Sequence, residues 1–329
     1  MSHRVKGLIF SSAVLIFGFL SLPALAAQQQ QPRRLPPTFF QYLLRPKFII
    51  MLILGALALY LLLSKKMNKV LKISLLLTST FLFGIAGNLP VKFFSSFSMH
   101  PSPICAVAKA MLYGFRIPMI VTLAVILFLT LIGPKLFCGY VCPVGALQEL
   151  IAMWADKLKI KRIRLNFRFS NSVRIGIFLL FIFLSGTAVL HIVQDGRKIA
   201  LTLYDYINAF HGFEIALQKT FLATFLHFLP FLLTIALAFK LYRPFCYLVC
   251  PIGLFTNMME HIAVFRVRLI RPPCDDCGLC AVKAPCPTVP DILKNANLRL
   301  DCFACDVCVK SCPKNATDYG TGRTTSGRL

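Results

Sequence analysis

The most informative part of the sequence begins Cys274-Asp-Asp-Cys277-Gly-Leu-Cys280, and a Cys-Pro pair follows at Cys286. The pattern then returns as Cys302-Phe-Ala-Cys305-Asp-Val-Cys308, with a second Cys-Pro pair at Cys312. Two residues between successive cysteines allow three thiolates to face one point, which is the arrangement that holds a four-iron cluster. The eight cysteines therefore predict iron–sulfur ligation.

In the bacterial two-cluster pattern, the fourth cysteine of each run binds the cluster of the other run. We therefore predict two 4Fe-4S clusters with crossed ligands. The first is bound by Cys274, Cys277, Cys280 and Cys312, and the second by Cys302, Cys305, Cys308 and Cys286. This part of the chain resembles the bacterial dicluster ferredoxin domain, except that five residues rather than three separate Cys280 from Cys286. A zinc module and a disulfide framework are the alternatives, and the two Cys-Pro endings disfavour both.

The composition of the whole chain indicates a membrane protein. Of its 329 residues, 57% are hydrophobic and only 15% are charged, which is typical of a bundle of membrane spans. The net charge of +24 would also suit a nucleic-acid partner. Because the basic residues gather between apolar runs, we predict membrane lipid as the partner and no nucleic acid. The expected fold class is mainly α, a polytopic helix bundle with a small C-terminal ferredoxin-like domain.

Five apolar runs are each about long enough to cross a ~30 Å hydrocarbon core. They lie at 48–64, 71–90, 117–137, 174–193 and 221–240. The predicted organisation of the chain is a signal peptide or first span at 1–27, a periplasmic linker at 28–47, a membrane domain at 48–271, the dicluster domain at 272–314 and a disordered tail at 315–329.

Three loops of the membrane domain are rich in Lys and Arg, and they alternate with less basic loops. Positive loops stay in the cytoplasm, so we place these three loops and the ferredoxin domain there. A reducing compartment also suits free thiolates. The predicted location is a bacterial inner membrane, crossed several times.

An internal repeat follows two of the runs. Phe-Cys-x-x-Val-Cys-Pro-x-Gly occurs once with Cys138 and Cys142 and again, 108 residues later (246 − 138), with Cys246 and Cys250. Cysteines at i and i+4 share one helix face, and the proline predicts the end of the span. If the two repeats meet, four sulfurs converge on a candidate third redox site, either an iron–sulfur centre or a set of redox-active thiols. The alternative is that the cysteines only pack helix ends.

Two Cys-x3-Cys-Pro repeats combined with a dicluster ferredoxin tail are similar to the membrane polyferredoxins of the NapH, NosR and CcoG type. The resemblance, which extends from about 48 to 313, is closest to the compact NapH form. It implies an electron-transfer protein between the quinone pool, or a cytoplasmic donor, and a respiratory or periplasmic redox partner. The chain would then be an oxidoreductase subunit of the quinol dehydrogenase type, with quinone as a candidate cofactor. The alternative is a membrane-anchored reductase that matures a respiratory metalloenzyme.

Four further residues are weaker candidates. His100 and Cys105 fall in one predicted outer loop, where a metal or quinone contact and a structural role are both open. His191 borders the other outer loop, and His227 falls inside the last apolar run, where an ionisable side chain is costly.

Overall fold

The computed structural model describes residues 38–89, 91–99, 102–190, 196–216, 225–270, 273–286, 288–289 and 301–321. The predicted leader at 1–27, His100 and His191 lie outside these residues. The backbones of Cys105 and His227 are helical, and their side chains lie outside the described part of the structure.

Helices make up most of the described chain, and the predicted mainly α fold is confirmed. Up to the first repeat they are α1 (Phe39–Leu43), α2 (Pro46–Leu63), α3 (Lys69–Ser79), α4 (Lys92–Ser95), α5 (Pro103–Tyr113) and α6 (Ile117–Ile132). Beyond it they are α7 (Pro143–Lys157), α8 (Phe167–Val189), α9 (Gly196–Ile207), α10 (His211–Ala216), α11 (Phe225–Ala238), α12 (Pro244–Leu248) and α13 (Pro251–Glu260). The ferredoxin region adds α14 (Leu279–Lys283), α15 (Val307–Lys310) and the strands β1 (Phe265–Leu269) and β2 (Thr317–Thr321).

Three of the five predicted runs form helices long and apolar enough to cross a membrane. They are Pro46–Leu63, Phe167–Val189 and Lys69–Asn88, in which α3 continues through a π-helical and a 3-10 turn. In the part of the chain that the structure describes, the other two runs form shorter apolar helices, Ile117–Ile132 and Phe228–Ala238. The first of these ends early because Gly133 is extended and a proline follows it.

The structure corrects the prediction that the spanning helices carry the cysteine pairs. Both apolar helices end before the first cysteine of their repeat. Cys138 lies in a separate π-helical turn, Phe137–Val141, and Cys246 lies in α12. Each pair therefore occupies a short turn between an apolar helix and the helix that begins at the proline.

Two predicted segments also differ from the structure. The end of the predicted linker is helical, because α1 is capped by a reciprocal bond pair between Thr38 and Gln41 and α2 begins at Pro46. The tail is not disordered from 315, since β2 pairs with β1 in antiparallel register, Tyr319 opposite Val267. Tyr319 is 4% exposed. This one buried aromatic side chain anchors a segment that is otherwise mostly small and polar. The strand pair joins the residues before the cysteine stretch to those after it.

Candidate iron–sulfur sites

The four cysteines of the repeats surround one buried cavity. Cys138, Cys142, Cys246 and Cys250 are all free thiols, each less than 8% exposed. The cavity wall is otherwise mainly apolar and is completed by Pro103, Phe137, Phe210, Phe245, Ile252, Gly253 and Phe303. The structure thus brings together the sulfurs that the sequence predicted would converge. Four thiols in a dry, closed space are a donor set that fits an iron–sulfur cluster.

The local geometry explains the repeated Cys-Pro-x-Gly pattern. Cys142 and Cys250 are extended, with ψ of 121° and 114°, as the residue before a proline prefers, and each is the N-cap of the helix that follows. A Cβ on Gly145 would lie 2.2 Å from the carbonyl oxygen of Cys138, and one on Gly253 would lie 2.9 Å from that of Cys246. Only glycine permits this approach, which folds the second cysteine of each pair back toward the first.

Polar groups reach sulfurs of both repeats. The backbone N–H of Gly145 lies 3.5 Å from Sγ of Cys142, and Nε2 of Gln148 lies 3.5 Å from Sγ of Cys246. Gln148 is itself held because its Oε1 accepts from the N–H of Phe245 at 3.0 Å. Hydrogen bonds to sulfur are one of the means by which a protein tunes an iron–sulfur centre.

A pair of buried cations, unrecognised from the sequence, crosses between the repeats. Lys135 and Arg243 occupy equivalent positions, 108 residues apart (243 − 135) and three residues before the first cysteine. Both adopt left-handed backbone conformations, with φ of 42° and 49°, and both are at most 1% exposed. Arg243 of the second repeat donates to the Cys138 carbonyl of the first at 2.7 Å, and Lys135 donates to the Gly253 carbonyl of the second at 3.4 Å. Each repeat therefore stabilises the cysteine loop of the other.

Buried carboxylates hold these cations. Oε2 of Glu149 accepts from Nε of Arg243 at 3.0 Å, and Lys72 binds the other oxygen of the same carboxylate. Burial alone would raise the pKa of Glu149, but the charges of Lys72 and Arg243 outweigh it and lower that pKa to about 2. Glu149 is therefore ionised at neutral pH.

Asp301 has the matching role on the second repeat. It binds Lys135, and it accepts two hydrogen bonds from the Arg174 guanidinium, both at 3.1 Å. Burial opposes ionisation of Asp301, but these two cations lower its pKa below the ordinary value. Arg174 also donates to the Cys246 carbonyl at 3.4 Å. Both first cysteines thus have their carbonyl oxygens bound by a buried arginine.

The ferredoxin cysteines fall into the two predicted sets. Cys274, Cys277, Cys280 and Cys312 line a single cavity. The thiol of Cys286 lies within hydrogen-bonding range of Cys305 and close to Cys302 and Cys308. Cys312 therefore lies beside the first run and Cys286 beside the second, as crossed ligation would require.

The backbone of the two ferredoxin loops shows the same curvature in each. Asp276 and Gly278 have φ of 55° and 68°, and the equivalent Ala304 and Asp306 have φ of 51° and 66°. Left-handed residues alternating with cysteines turn successive thiols toward one side of the loop. Such conformations are strained for residues other than glycine. Their occurrence at equivalent positions of both loops is consistent with loops that are shaped around a bound group.

Within the described ranges, no set of three or more His, Cys, Asp or Glu side chains is spaced to hold a single metal ion. This finding concerns mononuclear sites, in which ligand sulfurs lie about 2.3 Å from one shared metal. The ligands of a four-iron cluster stand farther apart, because each binds a different iron atom.

The membrane repeats and the ferredoxin domain meet at Phe303. Its ring lines the four-cysteine cavity, and its neighbours in sequence, Cys302 and Ala304, belong to the second ferredoxin loop. A Cβ on Gly139 would lie 2.7 Å from the carbonyl oxygen of Phe303, so the two backbones are in direct contact. The ring also receives Arg243, 4.8 Å from its centroid, and Lys135 at 5.1 Å. Phe303 thus joins the second ferredoxin loop to the four-cysteine cavity.

Sequence comparison adds independent support. The family model described as a 4Fe-4S binding domain matches residues 115–162 and 223–272. Each matched segment contains one Cys-x3-Cys-Pro repeat, and the second stops before Cys274. The ferredoxin-type protein NapH of Haemophilus influenzae is 24% identical over 216 residues, which cover 62% of this chain and 68% of that protein. The chain is thus similar to the NapH-type membrane polyferredoxins.

Other relatives agree with this similarity. YccM of Escherichia coli is 28% identical over 59% of the chain, and the methylamine utilization ferredoxin-type protein MauN of Paracoccus denitrificans is 28% identical over 50%. The chain spans about half the length of each, 53% and 52%. No solved structure matches it. These relatives are named as electron-transport or ferredoxin-type proteins, which supports an iron–sulfur electron-transfer role.

Proposed function

We propose that this protein is a membrane polyferredoxin that holds three clusters and carries electrons between the membrane and its ferredoxin domain. Cys138, Cys142, Cys246 and Cys250 would hold one cluster, and the two crossed sets of the ferredoxin stretch would hold the others. When bound, such clusters accept and donate single electrons. The protein supplies the ligands, the dry cavity and the fixed contact between the sites.

The observation that carries this proposal is the position of Phe303. Its side chain lines the four-cysteine cavity, and its backbone is part of the loop that carries Cys302 and Cys305. The contacts around it are rigid, because Tyr140 donates to the Ala304 carbonyl at 2.8 Å and Tyr247 donates to the Asp301 carbonyl at 3.0 Å. A short and fixed separation between redox sites is what electron transfer requires of the protein.

A second cavity gives the four-cysteine site a neighbour suited to quinone. It is lined by Phe83, Asn88, Met99, Ser102, Pro143, Asn208, Phe210, Phe213 and Glu214. Phe210 belongs to both cavities, and Pro143 directly follows Cys142. Aromatic walls with a few polar groups are typical of small-molecule sites, and Glu214 could receive a proton released by a quinol. The cavity is narrow, about 10 Å³, so a quinone ring requires Phe210 or Phe213 to move.

We further propose that the basic loops and the ferredoxin domain face the cytoplasm of a bacterial inner membrane, with a respiratory or periplasmic enzyme as the redox partner. Basic loops support this orientation. A reporter fused after Pro313 should then be active as a cytoplasmic fusion, and one placed in the 195–219 loop as a periplasmic fusion. The reverse pattern would refute the orientation.

The decisive test uses full-length protein purified without oxygen. It should contain about twelve irons per chain, from three four-iron sites. Cys138→Ser should lower the iron content by about four per chain. In this variant quinol should no longer reduce the ferredoxin clusters, while dithionite still reduces them. Glu214→Gln should slow reduction by quinol but not by dithionite. About eight irons in the parent protein, unchanged in Cys138→Ser, would eliminate the third cluster. Reduction by dithionite but never by quinol would favour the maturation role instead.

A further inference from the structure

An open cleft of about 350 Å³ lies beside the second ferredoxin loop, away from the proposed quinone cavity. Cys305 forms part of its wall together with Asp306 and Val307, and Pro285, which precedes Cys286, forms another part. The opposite wall comes from α7, and α3 and Lys310 complete the rim. The cleft thus gives access from outside to the loops that carry Cys286 and Cys305.

The charges around this cleft are mostly paired, with two exceptions. Arg162 pairs with Asp156 at 2.5 Å, Lys310 with Asp306 at 2.6 Å, and Lys72 with Glu149. Lys69 and Lys157 are exposed on the rim, and neither has an ion pair with another residue of the described ranges. The cleft lining therefore carries an excess of positive charge, five cations against three carboxylates.

The walls between these charges are apolar where they face the loop. Ala152 and Met153 of α7 supply apolar lining, as do Pro285 and Val307 of the ferredoxin loops. Two apolar walls suit a flat ring, and the two lysines suit an anionic group attached to it. The volume is on the scale of sites for small molecules, which are roughly 300–1,000 Å³.

We propose that this cleft binds a flavin mononucleotide, as an electron donor to the cluster of Cys286, Cys302, Cys305 and Cys308. The inference rests on the proposed cluster at those residues. A four-iron cluster takes one electron at a time, so a donor that releases only hydride does not match it, whereas a reduced flavin releases electrons singly. A quinone has no anionic group for Lys69 and Lys157.

The electrons and protons balance without a further reactant. A reduced flavin loses two electrons in successive steps, each of which reduces one oxidised cluster, and its ring protons pass to water through the open side of the cleft. The flavin leaves oxidised. The first electron must move on to another cluster before the second arrives, and Phe303 provides the contact toward the four-cysteine site.

Flavin mononucleotide binding to the full-length protein tests this proposal, with the quenching of flavin fluorescence as the measurement. Lys69→Gln and Lys157→Gln should each weaken binding by up to about fivefold, the range of one exposed ion pair. Met153→Trp, which fills the cleft without a change of charge, should abolish it. Lys66→Gln and Lys161→Gln are the matched controls, because both side chains are exposed and belong to the same basic loops but not to the cleft.

Each outcome decides the matter. No quenching by the parent protein, or equal weakening by cleft and control lysines, would overturn the proposal and leave only a basic surface. If Met153→Trp fails to fold, as judged by its iron content, the four lysine variants still decide. Cys286→Ser should retain flavin binding but lose reduction of its cluster by the flavin. Failure of the cluster proposal and failure of the cleft proposal are thereby separated.

Discussion

Replacement of Arg243 by Gln should weaken the four-cysteine site in two separable ways. Arg243 is 1% exposed and binds Glu149 at 3.0 Å, the Cys138 carbonyl at 2.7 Å and the Gly139 carbonyl at 3.2 Å. Removal of one partner of a buried ion pair costs about 3–5 kcal/mol, because the remaining charge is left without compensation. Lys72 still binds Glu149, so we expect the lower end, about 3 kcal/mol.

The second effect is on the reduction potential. A positive charge near the cysteines stabilises the reduced, more negative cluster, so its removal should lower the potential of that cluster, by an amount on the order of tens of millivolts at an effective dielectric constant near 20. Arg243→Lys retains the charge but loses the forked contact to two carbonyls. Arg243→Lys should therefore restore most of the reduction potential of the cluster but little of the free energy of unfolding.

Redox titration followed by electron paramagnetic resonance, together with thermal unfolding in detergent, measures both quantities. Lys240→Gln is the control, since Lys240 is an exposed cation three residues away. The reasoning is refuted if Arg243→Gln behaves like Lys240→Gln in both measurements, or if Arg243→Lys lowers the potential as far as Arg243→Gln does.

Two further predictions concern the packing and the charges of the same region. Gly145→Ala should destabilise the protein by roughly 1–3 kcal/mol and reduce its iron content, because the new Cβ would lie 2.2 Å from the Cys138 carbonyl oxygen. The control Gly176→Ala should be tolerated, because nothing lies within 4 Å of its new Cβ. Equal iron contents in the two variants would contradict this prediction. The pKa of Glu149 is lowered from 4.5 to about 2, so its contribution to stability is complete above pH 4.5 and is lost as the pH falls toward 2. Unfolding of parent and Glu149→Gln proteins at several pH values should show a larger acid loss in the parent, because Asp301 contributes its own acid loss to both. Equal losses in the two proteins would contradict the prediction.

Much of the site could be predicted from cysteine spacing alone. Two residues between cysteines constrain where the sulfurs point, and the 108-residue offset between Cys138 and Cys246 identifies two equivalent loops. The sequence could not show that the loops leave the apolar helices, because Gly133 and Pro134 occur inside a run that still reads as apolar. β2 was also not predictable from the sequence, because its segment is mostly small and polar. Tyr319 is its single aromatic residue, and its partner strand is distant in sequence.

The buried cations were not predicted because Lys and Arg residues in the loops of a membrane protein are usually explained by the preference of such loops for the cytoplasm. Arg174 counts toward a basic loop by the positive-inside tendency, yet it is 0% exposed and binds Asp301. One signal was available: Lys135 and Arg243 obey the same 108-residue offset as the cysteines. A basic residue that recurs in register with predicted ligands is more informative than the total charge of the loop.

The charge balance of this buried network explains why it belongs beside thiolates. Four cations, Lys72, Lys135, Arg174 and Arg243, meet three carboxylates, Glu149, Glu260 and Asp301, and every one of the seven is at most 7% exposed. An uncompensated buried charge is costly, so an excess of one cation calls for an anion nearby. Cysteines that bind iron do so as thiolates, and the cations reach the loops of Cys138, Cys246 and Cys305 through backbone carbonyls. The network and the clusters would thus stabilise each other, so loss of the clusters should loosen the contact between the repeats and the ferredoxin domain.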